Sequence, residues 1–164
     1  MKLIAAISSN GIIGAKKDGK DIIPWHYPED FAHFKKLTLD STVIMGDVTY
    51  FSIISISGKP LPKRRNVVLT KSKLDDSIEK YNSIDSLLKN IDKENSWVIG
   101  GRSVYEQMMR YCTELHLTIV PPVDSNAFDN IVMFPFINPA RFKTVSSIYL
   151  TDKLEYVKME RYET

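Results

Sequence analysis

Trp97-Val98-Ile99-Gly100-Gly101-Arg102-Ser103 is the stretch whose reading decides the fold. Three large apolar residues in a row, two of them β-branched, suit a strand buried on both faces, as parallel sheets require. Paired glycines end the run. Ser103 to Tyr111 then reads as a helix with Val104, Met108 and Tyr111 on one face. A strand passing through bare backbone into a helix lets main-chain atoms approach a ligand, and the helix start offers unpaired N–H groups and partial positive charge. Spacing alone supports a pyrophosphate cradle and a plain tight turn equally. The pair is not the G-x-G-x-x-G fingerprint, so no Rossmann inference follows from it.

Working outward, similar apolar runs recur. Leu3 to Ile7 is stopped by Ser8-Ser9-Asn10-Gly11, Thr42 to Met45 by Gly46, and Leu115 to Val120 by Pro121-Pro122; Asn66 to Thr70 is a further run. Helical patterns fall between them. Pro28-Glu29-Asp30 opens one, with proline at the first position and acids on the positive end of the dipole. Phe31, Phe34 and Leu37 continue it. Thr49 is read as the cap of a short helix running toward Ile56, and Ile84 to Ile91 as another helix. The tail changes character: Phe142 to Leu150 and Leu154 to Tyr162 read as a hairpin turning at Thr151-Asp152-Lys153. The expected fold is α/β: a central, mainly parallel twisted sheet with an antiparallel C-terminal strand and helices on both faces, formed by residues 1–164 as a single domain.

Composition narrows the function. The chain has 164 residues, 43% hydrophobic and 26% charged, with a formal net charge of +2. That length suits one core, and the near balance of charge gives no reason to expect nucleic acid or membrane as a partner. Cys112 is the only cysteine, which excludes an internal disulfide and a thiolate metal cluster and fits a reducing compartment. No apolar run approaches the ~18 residues of a spanning helix. The start, Met1 to Ile7, is shorter than a signal-peptide core, with no convincing cleavage site after it. A cytoplasmic protein is expected. His26 and His33, for which no metal-ligand set is found, are read as structural, and no metal site is expected.

Two charged positions stand out. Asp30 follows Pro24-Trp25-His26-Tyr27-Pro28 and is flanked by Trp25, Phe31 and Phe34. An acid in a first helical turn ordinarily only complements the dipole, but one set among aromatics can orient a flat polar heterocycle. Arg64 and Arg65 follow Pro60-Leu61-Pro62-Lys63. The plain reading is a solvated basic loop; the alternative is an arginine held by rigid prolines to clamp a carboxylate.

With these pieces in order, the chain resembles the dihydrofolate reductases over nearly its whole length. The resemblance is carried by Leu3-Ile4-Ala5-Ala6, Gly11-Ile12-Ile13-Gly14, Pro24 to Asp30, Val43-Ile44-Met45-Gly46 with Thr49, Lys59 to Arg64, and Val98 to Gly101 with Tyr105. It implies an NADPH-dependent enzyme that reduces 7,8-dihydrofolate to tetrahydrofolate, binds antifolate inhibitors and acts as a monomer. It implies Asp30 as the acid on the pterin, supported by Thr118, with Trp25 and the loop from Gly14 to Pro24 as the mobile lid. Ile4, Ala5, Ala6, Phe31, Phe34, Ile53, Ile99 and Tyr105 fall at substrate positions, and Arg64 at the clamp for the folate glutamate. Ala6, Ile13, Gly14, Gly46, Val48, Thr49, Leu69, Thr70, Lys71, Ile99, Gly100, Gly101, Arg102, Ser103, Val104 and Tyr105 fall at cofactor positions. The clamp argues against a related pyrimidine or pterin reductase, whose substrate has no such tail. The sequence departs from the family where Asp47 replaces the usual basic residue after Gly46, which opens the cofactor site to NADH; Lys71 and Arg102 are the cations expected to compensate. The lid is longer than usual and holds Lys16-Lys17-Asp18-Gly19-Lys20. Tyr50 stands for the usual tryptophan. Asp124 to Phe134 lacks the usual Gly-Asp turn.

Overall fold

The computed structural model describes residues 1–163. In chain order the strands are β1 Lys2–Ser8, β2 Ile12–Lys17, β3 Lys20–Ile22, β4 Thr42–Met45, β5 Arg65–Leu69, β6 Lys80–Tyr81, β7 Ser96–Gly100, β8 Glu114–Val120, β9 Asn130–Met133, β10 Phe142–Tyr149 and β11 Glu155–Arg161. The helices are α1 Pro28–Thr38, α2 Asp47–Ser57, α3 Ile84–Lys89 and α4 Arg102–Met108. An eight-stranded sheet runs in the order β10-β11-β8-β1-β7-β4-β5-β6, and β3-β2-β9 forms a smaller sheet. From β8 to β6 every neighbouring pair is parallel; β11 is antiparallel to β8 and to β10.

The continuous apolar runs are explained by helices on both sides of this sheet. Side chains alternate across a strand, so Leu3, Ala5 and Ile7 join one core layer while Ile4 joins the other. The first layer holds Leu87 of α3 with Val104, Tyr105 and Met108 of α4. The second takes Phe34 and Leu37 from α1 and Tyr50, Ile53 and Ile54 from α2. Both faces are therefore dry, as the pattern of Val43-Ile44-Met45 predicts: all three are fully buried.

Several boundaries differ from the sequence reading. α2 starts at Asp47 with Gly46 as its N-cap, and Thr49 lies within its first turn rather than capping it. Gly46 is extended, with φ −82° and ψ 171°, so backbone rather than a hydroxyl makes the transition. The helix of the Gly-Gly turn begins at Arg102 and tightens into a 3-10 turn over Met109–Tyr111. α3 ends at Lys89 and is capped by Ser83, whose Oγ accepts from the Ser86 N–H at 3.2 Å. The expected lid is itself a sheet: β2 and β3 form a hairpin, and β9, from the segment without the Gly-Asp turn, pairs with β2.

Candidate active site

Parallel strands end on the same edge, and ligands of open α/β sheets lie in the crevice outside their carboxyl ends. β4, β5 and β7 bring Gly46, Thr70 and Gly100-Gly101 to that edge. The Gly46 N–H donates to Gly100 O at 2.8 Å, so the two glycine turns are locked together. The Gly100–Gly101 peptide bond is cis. Gly100 has φ +128°, and a Cβ there would lie 3.3 Å from Tyr105 Oη. A Cβ on Gly46 would lie 3.1 Å from Val104 Cγ2. A Cβ would be crowded at both turns, and Gly100 also holds a φ that side chains rarely adopt; bare backbone floors a crevice at the starts of α2 and α4. These residues fit a dinucleotide diphosphate, which wants close main-chain approach and N–H groups.

Beside the cradle is a second cluster. Tyr105 is buried, and its hydroxyl lies 2.8 Å from Ile4 O and 2.9 Å from Ile99 O, sharing one proton between β1 and β7. Burial first, and then the negative charge of Asp30, pushes the Tyr105 hydroxyl well above its ordinary range, so it stays a donor. Asp30 sits in the first turn of α1. Loss of solvent raises its carboxyl above the usual value; the Thr118 hydroxyl bonded to it and the nearby His33 pull the other way. Thr118 is buried on β8, in register with Ala6 of β1. A carboxylate held in this way can accept hydrogen bonds from an amidine-like edge of a ring.

The far end of α1 carries the opposite charge. Arg64 Nε donates to Pro62 O at 3.0 Å and its Nη1 to Thr38 Oγ1 at 3.1 Å, while Thr38 Oγ1 donates back to Phe34 O at 2.8 Å. The guanidinium stands 5.8 Å from the Phe34 ring centroid. No carboxylate pairs with Arg64 among the described residues. Arg65 is spent structurally, in a two-point pair with Glu79. Asp30, Phe34 and Thr38 are spaced i, i+4, i+8, so acid, aromatic and arginine-bearing threonine lie along one face of α1, spanning about 12 Å. Ile53 and Ile99 pack into the same core layer as Phe34, whereas Phe31 is half exposed.

At the cofactor edge, Asp47 Oδ2 accepts from Thr70 Oγ1 at 3.0 Å and from Ser72 Oγ at 3.3 Å. Arg102 does not come to Asp47; its Nη1 donates to Met133 O at 2.9 Å, tying α4 to the lid sheet. The basic wall there is Lys71 with Lys73 and Lys80, lining a surface cavity with Thr70, Ser72, Tyr81, Asn82 and Ser86. Lys73 and Lys80 carried no sequence signal, because β6 is two residues long and its pairing with β5 is invisible to periodicity. Thr38 was missed as well; only its spacing from Asp30 and Phe34 could have marked it. Ile13 packs on the core beneath the lid, Leu69 ends β5, and Val48 and Ser103 are exposed. No group of three or more histidine, cysteine or acidic residues arranged for a metal occurs among the described residues.

A glycine cradle at the carboxyl ends of a parallel sheet, beside a helix with an acid in its first turn and an arginine bonded to its last, is an arrangement of the α/β dinucleotide-binding class. Comparison with known proteins gives the family. The sequence model of dihydrofolate reductase matches residues 1–163. The chain is 33% identical over 151 residues to the dihydrofolate reductase of Bacillus subtilis, covering 90% of this chain and 82% of that one. It is 38% identical over 148 residues to that of Buchnera aphidicola from Schizaphis graminum, covering 88% and 85%. Among solved structures, the Enterococcus faecalis dihydrofolate reductase complexed with NADP(H) and RAB-propyl superposes with a TM-score of 0.79 at 27% identity, covering 99% of this chain and 96% of that one. The chain belongs to the dihydrofolate reductase family.

Proposed function

We propose that this chain reduces 7,8-dihydrofolate to 5,6,7,8-tetrahydrofolate with NADPH, acting as a single domain over residues 1–164. The observation that carries the reading is the face of α1. Asp30 at its start suits the pterin amidine edge, Phe34 the ring, and Arg64 at its end the glutamate α-carboxylate. A bidentate arginine–carboxylate pair fixes direction as well as adding affinity.

NADPH supplies the hydride from nicotinamide C4 when bound. Gly46, Thr49, Gly100 and Gly101 would hold its diphosphate, and the lysine wall beside Thr70 and Ser72 its adenosine phosphate. Ile99 and Ala6 place the pterin at the sheet edge, within reach of the nicotinamide, and the lid sheet with Trp25 excludes water. Asp30 has a separate task. Its anion, bonded to the N3 and 2-amino edge, raises the basicity of the pterin, so that N5 takes a solvent-derived proton while Thr118 keeps the carboxylate oriented. No side chain of the chain need touch N5.

The direct test is to follow absorbance at the reduced-nicotinamide band with purified protein, NADPH and dihydrofolate. Loss of signal with one tetrahydrofolate formed per NADPH is expected. A folded protein that binds both ligands without turnover would make it a binding protein instead.

A further inference from the structure

His33 lies one turn beyond Asp30 on α1, so the two side chains share a face of the helix. Its ring meets Tyr156 of β11 edge-on, with centroids 4.3 Å apart. Its Nε2 is buried with no hydrogen-bond partner among the described residues. The Tyr156 hydroxyl is committed elsewhere: it lies 2.5 Å from His116 Nδ1, and His116 Nε2 lies 3.1 Å from Glu114, which pairs with Lys158 at 3.1 Å. The titratable and charged groups facing His33 are therefore Asp30 and Lys36 from its own helix and Tyr156 from β11, with the His116–Glu114–Lys158 string behind Tyr156.

We propose that His33 is a positioning residue for the reaction: a second titrating group beside the substrate pocket that, once protonated, holds Asp30 as the carboxylate. The proposal rests on Asp30 being the acid that meets the pterin. A histidine whose Nε2 has no partner, one helical turn from a carboxyl raised by burial, has that carboxylate as the negative charge acting on it. Such neighbours do not titrate independently. Burial disfavours the cation of His33 and the anion of Asp30, and each charge favours the other. As pH falls, a proton taken up by His33 keeps Asp30 ionised further into acid than it would be alone. Lys36 opposes that uptake, and Tyr156 contributes ring contact rather than a hydrogen bond.

Coupling of this kind is reciprocal, and reciprocity is what a packing role does not produce. The experiment is an NMR titration of ligand-free protein, following the Asp30 carboxyl carbon and the His33 imidazole, in wild type, His33→Gln and Asp30→Asn. His33→Gln is expected to raise the Asp30 midpoint by roughly half a pH unit, about threefold in proton affinity. Asp30→Asn is expected to lower the His33 midpoint by the same amount. Unmoved midpoints, or shifts that differ between the two directions, would overturn the proposal. Dihydrofolate turnover by wild type, run alongside, reports separately on the substrate reading: equal and opposite shifts without turnover would uphold the pair and reject the reductase.

Discussion

Asp30 works against the fold that holds it. Its carboxyl is raised by burial, so the folded chain binds that proton more tightly than the unfolded chain does. A raised group lowers stability as pH climbs from its ordinary value through its folded value, and the penalty stays in place at neutral pH. Asp30→Asn is therefore expected to melt higher than wild type at pH 7, by on the order of a few degrees, and the gap should close in acid. Activity moves the other way. The variant should lose roughly a hundredfold to ten-thousandfold at pH 7 and recover much of it on acidification, when solvent protonates the substrate without help. Melting curves and pH–rate profiles on the same preparations check both; near-normal turnover at pH 7 would remove Asp30 from the chemistry. Asp47 poses the opposite case, a carboxylate at the edge proposed for the cofactor's phosphate. Thr70 and Ser72 hold it, and the lysine wall lies on the same side. NADPH is expected to be preferred over NADH by a small margin. Asp47→Arg should tighten NADPH by about fivefold, with little change for NADH and a gain that fades as salt rises. An equal gain for both cofactors in binding titrations would place Asp47 away from the 2′-phosphate.

Among the elements, the hairpin of β2 and β3 forms the candidate lid. Its tip, Lys16 to Lys20, is exposed and charged. Two contacts anchor it to the segment before β9: the Asp18 N–H donates to Asp129 Oδ2 at 2.9 Å, and the Asp129 N–H to Lys16 O at 2.9 Å. Asp129→Ala removes the first and leaves the second. Amide exchange over residues 16–21 should speed up about tenfold with the melting temperature nearly unchanged, because an exposed hydrogen bond contributes about 1 kcal/mol to local order. Exchange as slow as in wild type would mean that pairing along β2 alone holds the tip. The lid also shows what a sequence can conceal. Leu3 to Ile7 and Thr42 to Met45 were legible because burial on both faces leaves no charged residue in the run and Thr42 as its one polar side chain. Lys16, Lys17, Lys20 and Asp21 read as loop because a small solvated sheet gives no apolar period. The start of α2 was misplaced for a related reason: Gly46 caps through its backbone, and a hydroxyl at Thr49 is the louder signal.

At the scale of the whole molecule, the proposed recognition joins one helix and one sheet edge. α1 would measure the substrate from acid to arginine, beside the glycine turns of β4 and β7. Asp30, Arg64 and the glycines were each legible as residue types in suggestive settings, but their relation was not. It depends on Thr38 linking α1 to the loop at Arg64, and on Gly46 bonding to Gly100 across two strands far apart in sequence. The contact of His33 with Tyr156 was hidden for the same reason, since Tyr156 lies on β11. The central claim is that α1 reads both ends of dihydrofolate at once, and Arg64→Leu tests it. The measurement is kcat/KM for dihydrofolate and for 7,8-dihydropterin, which lacks the glutamate tail, in wild type and variant. The account predicts a tenfold to hundredfold loss with dihydrofolate, from a charge-assisted pair contributing roughly 1.5–3 kcal/mol, and no loss with the truncated substrate. An equal loss with both substrates would contradict it.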